Sequence, residues 1–301
     1  MVDRWRGLHA DPLLWIAGSV RNRLGHAMRH VAVGQRLKRQ PQIIAKLKRD
    51  RTRLAQMQDI AGCRAVLETP AEVVLAANRI QLRSARYYEV RGDSDYRKQG
   101  RPDTGYRAWH LVVVREGRQV EIQLRTIRQQ AWAEAVERAA NRSGFDLKAG
   151  SGPEEIIDFF RLTSDSFYAM DNGRPVSGAT RKKLRFLRGR VEEYLPPVDT
   201  VDRAPPAKIR RQEFSTRLNN WLIVYDWRAA RFAGWSDLGT DTAEAAKQYA
   251  SFERRYRYED GYEVVLIGAD STETIKRTHA HYFGKDPNDL DPLGFFRELT
   301  G

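Results

Sequence analysis

The stretch GYRAWHLVVVREGRQVEIQLRT, residues 105–126, decides the reading of the whole chain. Two strand-like runs flank Glu116-Gly117, a pair suited to a two-residue turn, and predict a β-hairpin. In the second run Val120, Ile122 and Leu124 alternate with Glu121, Gln123 and Arg125. Period-two alternation sends the apolar residues to one face and an acid, an amide and a guanidinium to the other. Any half-buried strand shows one polar face. This one is paired with a strand entered through Tyr106 and His110, four residues apart, and that combination invites a chemical reading.

Outward from the hairpin, helix and strand patterns alternate. Toward the N-terminus, residues 11–30 have helical spacing behind an Asp start, and a short strand is expected near 31–35. Pro41 opens a basic helix, with proline in the favoured first turn. Residues 60–68 read as a buried strand, 70–87 as a helix and 87–90 as a strand before a Gly-, Asp- and Arg-rich loop, 91–105. Toward the C-terminus, helices are expected at 127–142, 153–170 and 179–195. The segment 195–206 has four prolines in twelve residues and breaks all periodicity. The expected division is therefore a catalytic domain with a helical extension at 1–195, a linker at 196–206, and a smaller α+β accessory or regulatory domain at 207–301. In that last part, 220–227 and 228–235 suit a hairpin, 242–257 a helix, 262–269 a strand and 271–283 a helix. The expected fold class is α/β (α+β), a mixed β-sheet flanked by helices.

The chain of 301 residues carries a net charge of +13 and one cysteine, Cys63. A single cysteine excludes a disulfide framework and any multi-cysteine zinc site. No apolar run approaches the roughly 20 residues of a membrane span, and the first residues lack a signal-peptide core, so a cytoplasmic protein without a membrane partner is expected. Residues 1–142 hold 28 Lys and Arg against 14 Asp and Glu, while 143–301 hold 24 against 25. All the excess positive charge lies in the first half, which suits polyanionic partners such as nucleotides or nucleic acid. Arginine-rich composition accounts for part of it.

Candidate chemical residues cluster in that half. Arg36, Lys38, Lys46 and Arg49 are dense in cation, and Lys46 and Arg49 share a helix face. Asp59 enters an apolar strand and Gly62 permits close backbone approach. Asp59 and Glu121 could hold one Mg²⁺ if their strands are neighbours, since Mg²⁺ favours oxygen and few protein ligands. Tyr106 could stack on a base, and His110 could reach a phosphate. Read singly, each of these is also an ordinary basic helix, strand-capping Asp or core ring. His279-x-His281 has no cysteine nearby and reads more simply as a helix-end pair than as a metal site.

Taken in order, Arg36-x-Lys38, Lys46, Asp59-Ile60-Ala61-Gly62-Cys63-Arg64, Gly105-Tyr106-Arg107-Ala108-Trp109-His110 and Val120 to Thr126 resemble the synthetase domain of the RelA/SpoT family, over roughly residues 10–175. Family members transfer pyrophosphate from ATP to a nucleotide 3′-hydroxyl, making (p)ppGpp-type alarmones of the stringent response on a nucleotidyltransferase-like fold. The resemblance implies that Arg36 and Arg64 sandwich adenine, that Lys38 and Lys46 hold the ATP phosphates, and that Asp59 and Glu121 bind Mg²⁺, with Glu121 also a candidate base. It implies that Tyr106 stacks on the acceptor base, that His110 contacts acceptor phosphate, and that Gln123 and Arg125 line the same strand face. Many members have Lys or Asn just before the Gly-Tyr pair. Here Arg101-Pro102-Asp103-Thr104 stands there, so Arg101 is the substitute cation and Asp103 leaves the acceptor's identity open.

No His-Asp pair of the family's hydrolase domain occurs, so a small, synthetase-only member with a C-terminal extension is expected. ATP and GDP or GTP are the implied substrates. The alternative within the family is a toxin that pyrophosphorylates the 3′-CCA end of tRNA, with the C-terminal domain as fused antitoxin or sensor. A catalytically dead nucleotide-binding module is the third reading, and intact Asp59, Glu121 and Tyr106 argue against it. Self-association is left open.

Overall fold

Glu116 and Gly117 both take positive φ, 52° and 71°, the signature of the two-residue turn whose twist matches a hairpin. They join β4 (Trp109–Arg115) to β5 (Arg118–Thr126). The computed structural model describes residues 2–28, 31–82, 87–195, 218–226, 231–256, 258–259, 261–279, 282 and 294–300. The expected linker, 196–206, lies outside them, as do Trp227 and His281.

The elements before the hairpin are α1 (Val2–Gly7), α2 (Ala10–Gly25), β1 (Ala32–Leu37), α3 (Gln40–Asp50), β2 (Ala61–Leu67), α4 (Pro70–Gln81) and β3 (Glu89–Asp95). After it come α5 (Ile127–Ser143), α6 (Glu154–Asp171), α7 (Gly178–Tyr194), β6 (Asn219–Asp226), β7 (Arg231–Asp237), α8 (Thr242–Arg255), β8 (Tyr262–Ala269), α9 (Thr272–Thr278) and α10 (Phe295–Thr300). Local chemistry sets several boundaries. Thr69 caps α4 and Thr126 caps α5, each in a reciprocal capping box with Glu72 and Gln129. The final Thr of the hairpin motif is thus the first residue of a helix start.

Among the described residues the strands form one eight-stranded sheet in the order β3-β4-β5-β2-β1-β8-β6-β7. The expected class, a mixed sheet with helices about it, is the class observed. β1 pairs antiparallel with β2 on one side and with β8 on the other, and β8 pairs antiparallel with β6. β6 and β8 are buried almost throughout, as strands covered on both faces are. Residues Leu13, Ile16, Ala17, Val20 and Leu24 of α2 are fully buried. A second apolar cluster joins Leu222 and Val224 of β6, Val264 and Leu266 of β8, and Ala245 and Tyr249 of α8.

The expected division at 196–206 is therefore redrawn. The chain forms two compact units, but they cut across the sequence: Met1–Ser94, His110–Leu124 and Pro206–Ile275 in one, Asp95–Trp109, Arg125–Pro205 and Lys276–Gly301 in the other. Strands β6 to β8 belong to the same sheet as β1 to β5, because β8 completes the hydrogen bonding of β1. The second unit is helical, with Trp132, Phe159, Phe160, Phe167, Leu184 and Phe296 among its buried core. Trp221 is 2% exposed in β6, and Phe232 meets Trp235 edge-on at 5.8 Å. His279 is fully buried.

Candidate active site

In the sheet unit, β1 and β2 set out a four-cornered patch. Arg36 lies opposite Gly62, and Gly34 opposite Arg64. Residues directly opposite share a face, and so do residues two apart along a strand. Two arginines on one diagonal therefore flank two glycines on the other. Diagonal neighbours stand about 7–8 Å apart. A flat ring with a contact of about 3.5–4.0 Å on each side fits that gap. A Cβ built at Gly62 would find only the backbone oxygen of Glu121 within reach, at 3.7 Å.

Beyond the end of β1, three charges share one point. Lys38 Nζ and Lys46 Nζ each donate to Asp59 Oδ2, both at 2.9 Å. Lys38 is fixed by its own backbone, whose N–H donates to the Ile60 carbonyl at 2.8 Å. Lys46 comes from α3, which Pro41 starts as expected. Arg49, on the same helix, bonds its neighbour Asp50 at 2.7 Å. Burial opposes ionisation of Asp59, but the two ammonium groups outweigh it and hold the carboxyl below its ordinary range. Burial dominates for Lys38 and lowers its pKa, because one carboxylate divided between two lysines does not repay the desolvation of both. The cluster keeps a surplus positive charge.

On β5, Glu121 Oε1 meets His110 Nδ1 at 2.8 Å and Oε2 accepts from Gln123 Nε2 at 2.6 Å. Burial would raise the Glu121 pKa, but His110 and Gln123 reverse this and hold it below the ordinary value. The Asp59 charge acts on Glu121 in the opposite sense, so the two carboxylates feel one another. β5 and β2 are adjacent, with Asp59 two residues before β2. The donor set fits a hard cation on one further observation. Asp59 Oδ1 is buried with no hydrogen-bond partner among the described residues. No group of three or more His, Cys, Asp or Glu suited to a metal occurs among those residues.

The second unit holds the remaining expected residues. Tyr106 OH accepts from Arg125 Nη2 at 2.6 Å, and Arg125 Nη1 donates to Gln130 Oε1 at 2.9 Å. Gln130 in turn donates to Glu134 at 2.6 Å, which locks the buried guanidinium. The Arg101 guanidinium sits over two rings, 4.7 Å from Tyr96 and 5.4 Å from Tyr106. Trp132 packs at 6.2 Å from Tyr106. Gly105 has φ +78°, and a Cβ there would lie 2.9 Å from the Arg161 Cα. Arg107 is structural: it donates to Asp165 Oδ1 at 2.6 Å, to Ser164 Oγ at 3.2 Å and to the carbonyls of Arg97 and Lys98. Tyr96, Gln130 and Trp132 carry no motif that marks them in sequence. Glu263 was equally silent: it lies on β8 and is ion-paired to Arg36.

The structure thus gathers Arg36, Lys38, Lys46, Asp59, Arg64, His110, Glu121 and Gln123 in one unit, and Arg101, Tyr106 and Arg125 in the other. No helix among the described residues is long and apolar enough to cross a membrane.

Uncharacterised proteins of Mycobacterium tuberculosis and Mycobacterium bovis are 30% identical over 156 residues, 49% of this chain and 56% of theirs. The chain thus spans little more than half the length of the curated relatives it matches. Among solved structures, the small alarmone synthetase 1 of Bacillus subtilis bound to its product pppGpp is similar at 23% identity and a TM-score of 0.40, over 53% of this chain and 79% of that one. A GTP pyrophosphokinase family protein from Streptococcus pneumoniae is similar at 23% identity and a TM-score of 0.36, over 54% of this chain and 76% of that one. These likenesses are too partial to bear on function. The family model described as "Region found in RelA / SpoT proteins" matches residues 35–141, which contain all the expected site residues. Over those residues, the chain is similar to the region found in RelA/SpoT proteins.

Proposed function

We propose that the protein transfers pyrophosphate from ATP to the 3′-hydroxyl of a guanine nucleotide, GDP or GTP. The observation that carries this reading is the sharing of Asp59 by Lys38 and Lys46, which leaves net positive charge beside a buried, unbonded carboxylate oxygen. Phosphoryl-type transfer asks a protein chiefly for positioning and charge neutralisation. Arg36 and Arg64 would hold adenine between them, and Lys38 and Lys46 the phosphates. Tyr106, ringed by Arg101 and Arg125, would take the acceptor base. Asp59 and Glu121 would hold Mg²⁺, which neutralises phosphate charge when bound.

In the transfer, the acceptor 3′-oxygen forms a bond to the β-phosphorus of ATP. The bond from that phosphorus to the oxygen bridging it to the α-phosphorus breaks, and AMP leaves with the electron pair. The hydroxyl proton goes to a base and then to solvent. A general base contributes about 10²–10⁴-fold. Glu121 is held ionised by His110 and Gln123, which makes it available but weak, so its first contribution is charge and orientation.

The second reading, transfer to the 3′ end of tRNA, is favoured by the concentration of positive charge in residues 1–142. One experiment separates them. The protein is incubated with Mg²⁺ and γ-labelled ATP, and separately with GDP, GTP, ATP and bulk tRNA. Label entering GDP or GTP with equimolar AMP supports the first reading. Label entering tRNA supports the second. No labelled acceptor in any arm sinks both.

A further inference from the structure

We propose that Glu263, on strand β8, is a positioning residue for the donor nucleotide: its carboxylate fixes Arg36 so that the flat face of the guanidinium is offered to the adenine. The inference rests on the reading of Arg36 given above.

The pair is unequal in a telling way. The Glu263 side chain is 2% exposed, whereas that of Arg36 is 42% exposed. A buried carboxylate thus holds a guanidinium whose other side faces solvent. The bond runs from Arg36 Nη1 to Glu263 Oε1, and an N–H bond lies in the guanidinium plane. An in-plane bond of this kind does not itself cover either face of that plane.

The same strand end is held by three further groups. The Leu37 N–H donates to Tyr249 OH at 3.3 Å, and Tyr249 OH donates to Glu253 Oε1 at 3.0 Å. Glu253 Oε2 accepts from Arg6 Nη2 at 2.8 Å, and Arg6 Nε donates to the Lys38 carbonyl at 2.8 Å. Tyr249 of α8 and Glu263 of β8 therefore hold the Leu37 backbone and the Arg36 side chain directly, and Glu253 of α8 reaches the Lys38 backbone through Arg6.

Charge assigns the roles. Arg36 is neutralised by Glu263, which makes it a poor phosphate ligand and leaves it suited to a neutral ring. Lys38 and Lys46 share a single carboxylate and keep charge for phosphate. A contrary effect is possible on Coulomb grounds alone: a carboxylate near a polyanion repels it, so its removal should tighten binding. The sign of the change therefore decides between positioning and mere repulsion.

The test titrates a methylene-bridged ATP analogue, with Mg²⁺, into the full-length protein and the variants Glu263→Gln, Glu263→Asp, Arg36→Ala and Glu263→Gln/Arg36→Ala. Inorganic tripolyphosphate is titrated in parallel. Positioning predicts that Glu263→Gln weakens the analogue by about threefold to thirtyfold, the range of one cation–ring contact. The double variant is then no weaker than Arg36→Ala alone, and tripolyphosphate binding by Glu263→Gln is unchanged. Glu263→Asp, which keeps the charge but shortens the reach, weakens binding too and serves if the glutamine variant does not fold. Unchanged or tighter binding in Glu263→Gln and Glu263→Asp, with Arg36→Ala weakened, overturns the inference while leaving the donor-site reading intact. An Arg36→Ala variant that binds like wild type overturns the donor-site reading itself, and the inference with it.

Discussion

Asp59 accepts from Lys38 and Lys46 through the same oxygen, Oδ2, while its Oδ1 is buried and unbonded. Such a carboxylate does two jobs that a substitution can separate. Asp59→Asn removes the counter-charge of the two ammonium groups and a proposed metal ligand together. We expect transfer to be abolished, while tripolyphosphate without metal binds at least as tightly as to wild type, as read by calorimetry. Weaker tripolyphosphate binding in the variant would show that the lysines need Asp59 to be placed at all. The same residue sets a pH dependence. Its folded pKa lies below its ordinary value near 4. It therefore contributes stability fully above that value, which is lost as pH falls through the folded pKa. Glu121 acts with the same sign, whereas Glu253 and Asp171, raised by burial, act against it. Comparing denaturant unfolding of wild type and Asp59→Asn from pH 6 to 3 isolates the Asp59 part. The wild-type advantage should shrink toward acid. Tyr106 gives the third test at this scale. Tyr106→Ala should cut acceptor kcat/KM by about 5- to 150-fold, the range for one stacked base, and leave affinity for the ATP analogue nearly unchanged. Equal loss of both would end the stacking role.

The hairpin shows how far an element can be foretold. Glu116-Gly117 announced its turn, and both residues adopt the left-handed backbone the turn needs. Gly105 and Gly117 share nearly the same φ, +78° and +71°, yet differ in surroundings. A Cβ at Gly117 meets nothing within 4 Å, so Gly117→Ala should cost only the backbone penalty, about 1–2 kcal/mol. A Cβ at Gly105 lies 2.9 Å from the Arg161 Cα, so Gly105→Ala must also shift backbone under Tyr106. We expect Gly117→Ala to lower Tm with KM unchanged for both substrates. Gly105→Ala should raise acceptor KM as well. Elements with local signals were legible in this way: the period of β5 and Pro41 at the start of α3. The partners of the site were not. Tyr96 stands in a polar loop, Gln130 on a helix of ordinary composition, and Glu263 in an apolar strand some 140 residues from Glu121. Glu263 meets Arg36 from far along the chain, which no spacing records, and although Tyr96 and Gln130 lie close in sequence to Arg101 and Arg125, no motif marks them.

At the scale of the molecule, the proline-rich break at 195–206 suggested a detachable C-terminal domain, because composition marks chain breaks and is blind to strand pairing. β8 instead occupies the middle of the sheet. It pairs with β1 from Ala32 opposite Ala269 to Gln35 opposite Leu266, and with β6 along its whole length. Leu222, Val224, Tyr249, Val264, Leu266 and Ile267 are each 5% exposed or less. Full burial of one such side chain stabilises by about 1.5–3 kcal/mol, and a domain has about 5–15 kcal/mol in total. Losing six of them, about 9–18 kcal/mol, is comparable to that whole margin even before the hydrogen bonds of β1 are opened along an unprotected edge. Truncation at residue 200 should therefore give an aggregated or unfolded protein, seen as loss of soluble yield and of the cooperative melt by circular dichroism. A fused antitoxin removed by the same cut would behave otherwise: the remainder would stay folded and become more active. The ion pairs Arg6–Glu253 and Arg36–Glu263 point the same way, since they make the C-terminal segment part of the strand that carries the proposed donor site. A folded truncate that still bound the ATP analogue with wild-type affinity would show that β1 holds its shape without β8, and would return the C-terminal segment to the role of an accessory.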